Sequence, residues 1–256
     1  MMSSCKTQTN LPLIATPEEE SELLANAIKK LARSDSPLEI LEAGCGNAWL
    51  LDLGDLSYRL TGLDLDADAL RIRQTERKDL HEAIIGDLHT VDLKGRQYDV
   101  IFNSFVLEHV TEAEKILDNF YEWLRPGGIL ILKLPDRESV YGFITRTTPH
   151  WVHVMYKKYV EGVKNAGKPG YTPYRTIYEK VVSRTGIREW AAKRGLAVSE
   201  EFGANYFVDG LGLLTLPIKT IIRSVNILSR GDLAADHTNL TYVLIKPEKA
   251  AQPTRK

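Results

Sequence analysis

The segment Glu42-Ala43-Gly44-Cys45-Gly46-Asn47 follows a short apolar run, and about 18 residues past Gly46 a second apolar run closes on Leu63-Asp64. Glycines after a strand permit a tight turn and let a ligand approach the backbone closely. A carboxylate ending the next strand stands where nucleotide-binding folds hold a ribose. Several enzyme classes share that pair, and two details narrow the ligand. Trp49 occupies the place of the third glycine of a dinucleotide fingerprint, which brings a helix N-terminus up to a pyrophosphate. Glu42, just before the turn, repels pyrophosphate and suits an ammonium group. Asp64 has little structural reason to close an apolar strand and is assigned to the ligand.

Histidines supply the candidates for a general base: His109, His150, His153 and His237. Thr148-Pro149-His150 reads as a helix opening, with Thr148 as cap and Pro149 in the first turn. A histidine there feels the positive helix end and stays neutral, which suits a base. The plainer reading is an exposed first-turn residue. His150 and His153 could share a helical face, but no third ligand stands near them and no metal is expected. His81 and His89 read as ordinary surface residues. Gly127-Gly128 reads as a plain turn, and Asp99 as a strand start far from any ligand.

Positioning these residues requires alternating strands and helices. Thr16-Pro17-Glu18-Glu19-Glu20 is a helix start, with a cap, a first-turn proline and acids at the positive end. Leu23, Leu24, Ala27, Ile28 and Leu31 continue it at helical spacing, and Ser34–Pro37 ends it. Strands are expected at Glu39–Glu42, Tyr58–Asp64, Glu82–Gly86, Tyr98–Asn103 and Ile129–Leu134, with helical patterns between them, notably Glu112–Leu124. A helix at Ile187–Lys193 precedes strands at Leu196–Phe202 and Leu240–Lys246. The pattern predicts an α/β fold, a Rossmann-like doubly wound sheet that is mostly parallel with a C-terminal antiparallel strand.

Five segments in order carry a family resemblance. Glu42-Ala43-Gly44-Cys45-Gly46 resembles the first motif of class I S-adenosylmethionine-dependent methyltransferases, Thr61-Gly62-Leu63-Asp64 the second and Ile85-Gly86-Asp87-Leu88 the third. Tyr98–Val110 is similar to the fourth strand and its turn, and Leu124-Arg125-Pro126-Gly127-Gly128-Ile129-Leu130 to the proline-glycine entry into the fifth. The Leu107-Glu108-His109 turn is similar to that of the small-molecule and lipid branch. The resemblance implies S-adenosylmethionine as cofactor, with Glu42, Gly44, Cys45 and Gly46 at its methionine half. It implies Asp64 on the ribose hydroxyls, Leu65 against the adenine, and Asp87 and Leu88 reading the adenine edge and face. Asn103 would hold the amino group through its carbonyl, with Phe105 and His109 on the methyl-donor side. His150 and His109 are the candidate catalytic residues.

One methyltransferase domain is expected over 1–256. Its cofactor-binding core is 17–135, with insertions at 136–185 and 208–237 as a substrate lid. Sheet elements follow at 186–207 and 238–247, and 1–10 and 248–256 are flexible ends. Tyr141, Phe143, Trp151, Tyr156, Tyr159, Tyr171, Tyr174 and Tyr178 crowd the first insertion. Tyr141, Trp151, Tyr156 and Tyr171 are assigned to a pocket for a small, partly hydrophobic acceptor, although the rings could equally form the lid's own core. Leu211–Leu228 mixes apolar stretches with single cations, as a helix over the pocket or one resting on a membrane or partner.

The composition is 43% hydrophobic and 26% charged, with a formal charge of -1, the profile of a soluble globular protein without a basic field for nucleic acid. Cys5 and Cys45 form no CxxC pair, the N-terminus lacks an apolar leader core, and no run is long enough to span a bilayer. The expected protein is a cytoplasmic, biosynthetic enzyme, monomer or homodimer, with peripheral membrane contact left open. A cofactor-binding module without turnover and a protein or RNA methylase are the alternatives.

Overall fold

The structure, a computed structural model, describes residues 11–159, 162–168, 173–209 and 212–248. Its strands are β1 (Leu13–Ile14), β2 (Leu38–Ala43), β3 (Tyr58–Asp64), β4 (Glu82–Ile85), β5 (Tyr98–Ser104), β6 (Leu124–Pro135), β7 (Ala197–Ala204) and β8 (Asn239–Ile245). They form one sheet in the order β1-β7-β8-β6-β5-β2-β3-β4. Strands β2 to β6 pair in parallel, and β8 runs antiparallel between β6 and β7. The expected mixed α/β sheet is therefore present. The edge strand β1, paired to β7, is too short for a periodicity signal.

Alternation along the strands sorts the core onto two faces. Ile40, Leu60, Val100, Phe102, Ile129, Ile131 and Val243 meet α1 (Pro17–Lys29) through Leu24, Ala25, Ala27 and Ile28. The hydroxyl of Thr16 caps α1 by accepting from the Glu19 N–H at 3.1 Å. Leu41, Leu63, Ile101, Leu130, Leu132 and Tyr242 meet α3 (Ala113–Trp123) and α6 (Arg184–Arg194) on the other face.

The crossovers depart from a regular βαβ pattern. Helix α2 (Ala67–Ile72) and a π-helical turn over Arg73–Arg77 join β3 to β4, but no described residue between β2 and β3, or between β4 and β5, is α-helical. Trp49 packs edge-on against Phe102, with centroids 5.4 Å apart. Among the described residues, no helix therefore follows the glycine turn before β3. Gly127 and Gly128 form no free turn but lie within the long strand β6. A Cβ on Gly128 would come within 2.7 Å of the Asp99 carbonyl, so close packing explains that glycine.

Between β6 and β7 lie α4 (Val140–Thr147) and α5 (His150–Tyr159). Between β7 and β8 lie α7 (Tyr206–Asp209) and α8 (Thr215–Leu228). Asp136 and His237 fasten the start of the first segment to the end of the second. His237 Nε2 and Asp136 Oδ2 are 2.8 Å apart, and Nδ1 is 2.8 Å from Asp236 Oδ1. Burial opposes a charge on this imidazole, but the two carboxylates outweigh it and hold its pKa at about 9. His237 is thus a charged clasp rather than a candidate base. A raised pKa stabilises the fold below the ordinary value of 6.5 and loses that contribution as pH climbs through about 9. Wild-type stability should fall by roughly 1–3 kcal/mol between those limits. His237→Gln should flatten that alkaline limb in urea melts across the same range.

Candidate active site

The glycine turn leaves β2 at Ala43, beside the ends of β3 and β5. Gly44 and Gly46 have φ of +71° and +52°, a conformation costly for any residue with a Cβ. The N–H groups of Gly44 and Cys45 both reach the Leu63 carbonyl, and the Gly46 N–H donates to Asp64 Oδ2 at 2.8 Å. Asp64 Oδ1 accepts from the Asp66 N–H, so the acid that ends β3 braces the turn. A Cβ placed on Gly46 would meet nothing within 4 Å, so open space lies over the turn.

Beneath it lies an ion cluster. Arg73 is fully buried; its Nη1 donates to Glu42 Oε2 at 2.5 Å and to the Cys45 carbonyl at 2.9 Å, and its Nε donates to Asp79 Oδ1 at 3.0 Å. Burial pushes the Glu42 carboxyl up, and the paired Arg73 guanidinium works against that rise. Burial also pushes the Cys45 thiol up, to about 12, so it is inert.

The opposite wall is built where β5 ends. The Asn103 amide donates to the Ala43 carbonyl at 2.8 Å, leaving its buried Oδ1 without a partner. Phe105 follows at φ +56°, half-exposed, with Lys133 Nζ 5.7 Å from its ring centre. Leu107–His109 then forms a 3-10 turn. His109 Nδ1 lies 3.0 Å from the Arg175 carbonyl, and its ring meets Tyr174 edge-on. Because a carbonyl only accepts, Nδ1 carries the proton and Nε2 keeps its lone pair. Burial holds this imidazole below its usual pKa. Glu108 Oε1 lies 3.7 Å from His109 Nε2, while Oε2 is buried without a partner. Burial pushes this carboxyl up to about 8.

A cavity of about 580 Å³ opens between α1 and the sheet, lined among others by Glu20, Leu24, Leu51, Phe102 and Lys133. Glu20 Oε2 is 2.7 Å from Lys133 Nζ and accepts from the Tyr206 hydroxyl at 3.0 Å, while Oε1 accepts from Thr241. A second cavity, about 390 Å³, lies by Ile14, Asn205, Lys219 and Arg223.

This geometry can be set beside known proteins. A family model described as a methyltransferase domain matches residues 18–201, more than half of the chain. The chain belongs to the class I S-adenosylmethionine-dependent methyltransferases. It is 32% identical over 112 residues to a Mycolicibacterium smegmatis protein named probable S-adenosylmethionine-dependent methyltransferase, covering 43% of this chain and 42% of that one. It is 24% identical over 179 residues to the mouse mitochondrial ubiquinone biosynthesis O-methyltransferase, covering 67% of this chain and 44% of that one. The methyltransferase chain thus spans less than half of either relative. The crystal structure of the N-methyltransferase NodS from Bradyrhizobium japonicum, in complex with S-adenosylhomocysteine, superposes with a TM-score of 0.50 at 18% identity. It covers 91% of this chain and 89% of that one.

The residues present fit S-adenosylmethionine. Open space over Gly46, the Asp64 carboxylate at the strand end and the orphaned Asn103 amide oxygen converge on one edge of the sheet. Leu65 is exposed beside Asp64, apolar surface suited to a purine face. Asp87 Oδ1 accepts from the His89 N–H at 2.8 Å and lies 2.7 Å from the His89 ring. His89 is thereby a support for that acid rather than an idle surface residue, and His81 likewise takes the Leu60 N–H on its Nδ1.

Three assignments to the cofactor are corrected. Glu42 already faces a buried counter-ion, Arg73, in place of an ammonium group. Cys45 spends its N–H on Leu63 and its carbonyl on Arg73, so it shapes the turn. Leu88 is buried in the core and offers no face to adenine.

On the acceptor side, His150 opens α5, is exposed and lines neither of these two cavities, and the Thr148 hydroxyl turns back to the Ile144 carbonyl and to His153. Tyr141, Trp151 and Tyr156 also line neither cavity, and Tyr171 lies outside the described residues. Arg73, Glu108, Glu20 and Lys133 escaped sequence reasoning. Arg73 sits among Arg71, Arg77 and Lys78, and Glu20 reads as one more first-turn acid.

Asp64→Ala should weaken S-adenosylhomocysteine binding by about 1.5–3 kcal/mol in calorimetric titration; unchanged affinity removes Asp64 from the ribose. Arg73→Met should cost about 3–5 kcal/mol in urea melts, because it strands a buried carboxylate.

Proposed function

We propose that the enzyme methylates a hydroxyl of a small, partly hydrophobic acceptor by in-line SN2 attack, with His109 as general base. The observation that carries the reading is the state of His109. A carbonyl at Nδ1 fixes the tautomer and burial keeps the ring neutral, so Nε2 is ready to take a proton. Bound S-adenosylmethionine supplies an electrophilic methyl carbon on its sulfonium. The residues then have two tasks. Gly44, Gly46, Asp64, Leu65, Asp87, Asn103 and Phe105 hold one reactant in place, and near-attack geometry alone is worth up to about 7–11 kcal/mol. His109 Nε2 would take the proton that the acceptor hydroxyl gives up when its oxygen displaces the sulfur from the methyl carbon.

Glu108 flanks that base. Its carboxyl lies 3.7 Å from Nε2, and burial favours its neutral acid form, so it does not draw a proton onto the resting imidazole. The cavity under α1 supports the acceptor assignment. Its floor of Leu24, Ala25, Leu51 and Phe102 is apolar, and the Glu20–Lys133 pair supplies one polar anchor next to Phe105. The mouse relative's name as an O-methyltransferase agrees with a hydroxyl acceptor. In this reading α7 reaches the acceptor cavity through Tyr206, whose hydroxyl donates to Glu20.

Tritium transfer from labelled S-adenosylmethionine into a small-molecule extract tests the proposal. His109→Gln should lower turnover by about 10²-fold or more with S-adenosylhomocysteine affinity unchanged. A wild-type rate overturns the base. With a pKa below 6.5, the ring should protonate only in more acidic solution, so the acid limb of the pH-rate profile should lie below 6.5 and disappear in that variant.

A further inference from the structure

Helices α4, α5 and α8 share an unusual charge pattern. Every Asp, Glu, Lys or Arg within them is a cation: Arg146, Lys157, Lys158, Lys219 and Arg223. The whole chain has a formal charge of -1, so these three helices are more basic than the chain as a whole.

Helix α8 is amphipathic in an inverted sense. Ile218, Ile222 and Val225 turn inward onto Val140 and Ile144 of α4 and Val208 of α7. The outward side carries Leu216, Thr220, Ser224 and Ile227, with Leu228 and Ile221 at its margin. Leu216 is 78% exposed, Ile227 74% and Leu228 82%, and Leu213 in the preceding turn is 98% exposed. Arg223 is exposed at the border of that side. Helix α5 repeats the theme: Trp151, Met155 and Tyr159, one turn apart, are all exposed, and Lys157 and Lys158 lie between them. Large apolar side chains exposed together on one short segment mark an interaction surface.

The charges choose the partner. An outer side carrying Leu216 and Ile227 around Thr220 and Ser224, with exposed Arg223 at its border and no carboxylate in the helix, matches a helix that lies in the plane of a bilayer interface. There the leucines and isoleucines enter the acyl boundary while the exposed Arg223 meets anionic headgroups. No described helix is long and apolar enough to cross a membrane, so the contact is one of docking.

We propose that the outer side of α8, from Leu213 to Leu228, docks on an anionic lipid surface. The docking is independent of the acceptor and of the base.

Flotation of the full chain with vesicles tests it, using phosphatidylcholine alone and phosphatidylcholine mixed with phosphatidylglycerol. The protein should rise with the anionic vesicles, rise far less with the neutral ones, and be released by high salt. The double variant Leu216→Asp with Ile227→Asp should lose roughly tenfold or more of the anionic-vesicle binding, while S-adenosylhomocysteine titration and far-ultraviolet circular dichroism stay as in wild type. If the aspartates prevent folding, Leu216→Ser with Ile227→Ser should show the same direction of change. Wild-type protein left at the bottom of the gradient overturns the proposal, as does a folded variant that floats normally. A wild-type dimer in sedimentation that this variant splits, without vesicle binding, also overturns it and assigns the surface to a second copy of the chain.

Discussion

The buried guanidinium of Arg73 is the contact on which the cofactor side depends. It joins Glu42 at the end of β2, the carbonyl of Cys45 inside the glycine turn, and Asp79 ahead of β4. Two glycines in left-handed conformations give the turn its path but do not hold it. The hold comes from a charge that has nowhere else to go: unpaired, either Glu42 or Arg73 would carry a desolvation penalty of several kcal/mol. The open space over Gly46 persists because what lies beneath the turn is fixed.

Much of the fold was legible. Apolar runs placed the seven longer strands; β2, β5 and β8, buried along nearly their whole length, read most clearly. The turn after β2 and the acid after β3 were legible because glycine and carboxylate have few other reasons to stand at strand ends. The site beyond them was harder to read. Glu42 was visible, but its partner came from a turn between other elements, where one Arg among several basic residues gives no signal. Leu88 and Cys45 sat in motif positions, and only packing showed that they face inward.

Long-range polar contacts account for the rest. Glu20 pairs with Lys133 across more than a hundred residues, joined by Tyr206 and Thr241. His237 reaches Asp136 over a similar distance. His150 looked like a base because of its place in a first helical turn, whereas His109 has its tautomer fixed by a carbonyl 66 residues away. Local sequence describes where a side chain starts; the protonation state of a histidine depends on what it meets.

The missing helix after β2 has a consequence for how ligand binding and folding are coupled. The turn is held from β3, from the π-helical stretch and from the approach to β4, with no helix of its own. The half of the sheet made of β2, β3 and β4 must therefore be assembled before the nucleoside finds its seat. A bound ligand adds its free energy back to those same strands. Hydrogen exchange in that half should slow most on saturation, leaving the α8 side free to fluctuate on its own.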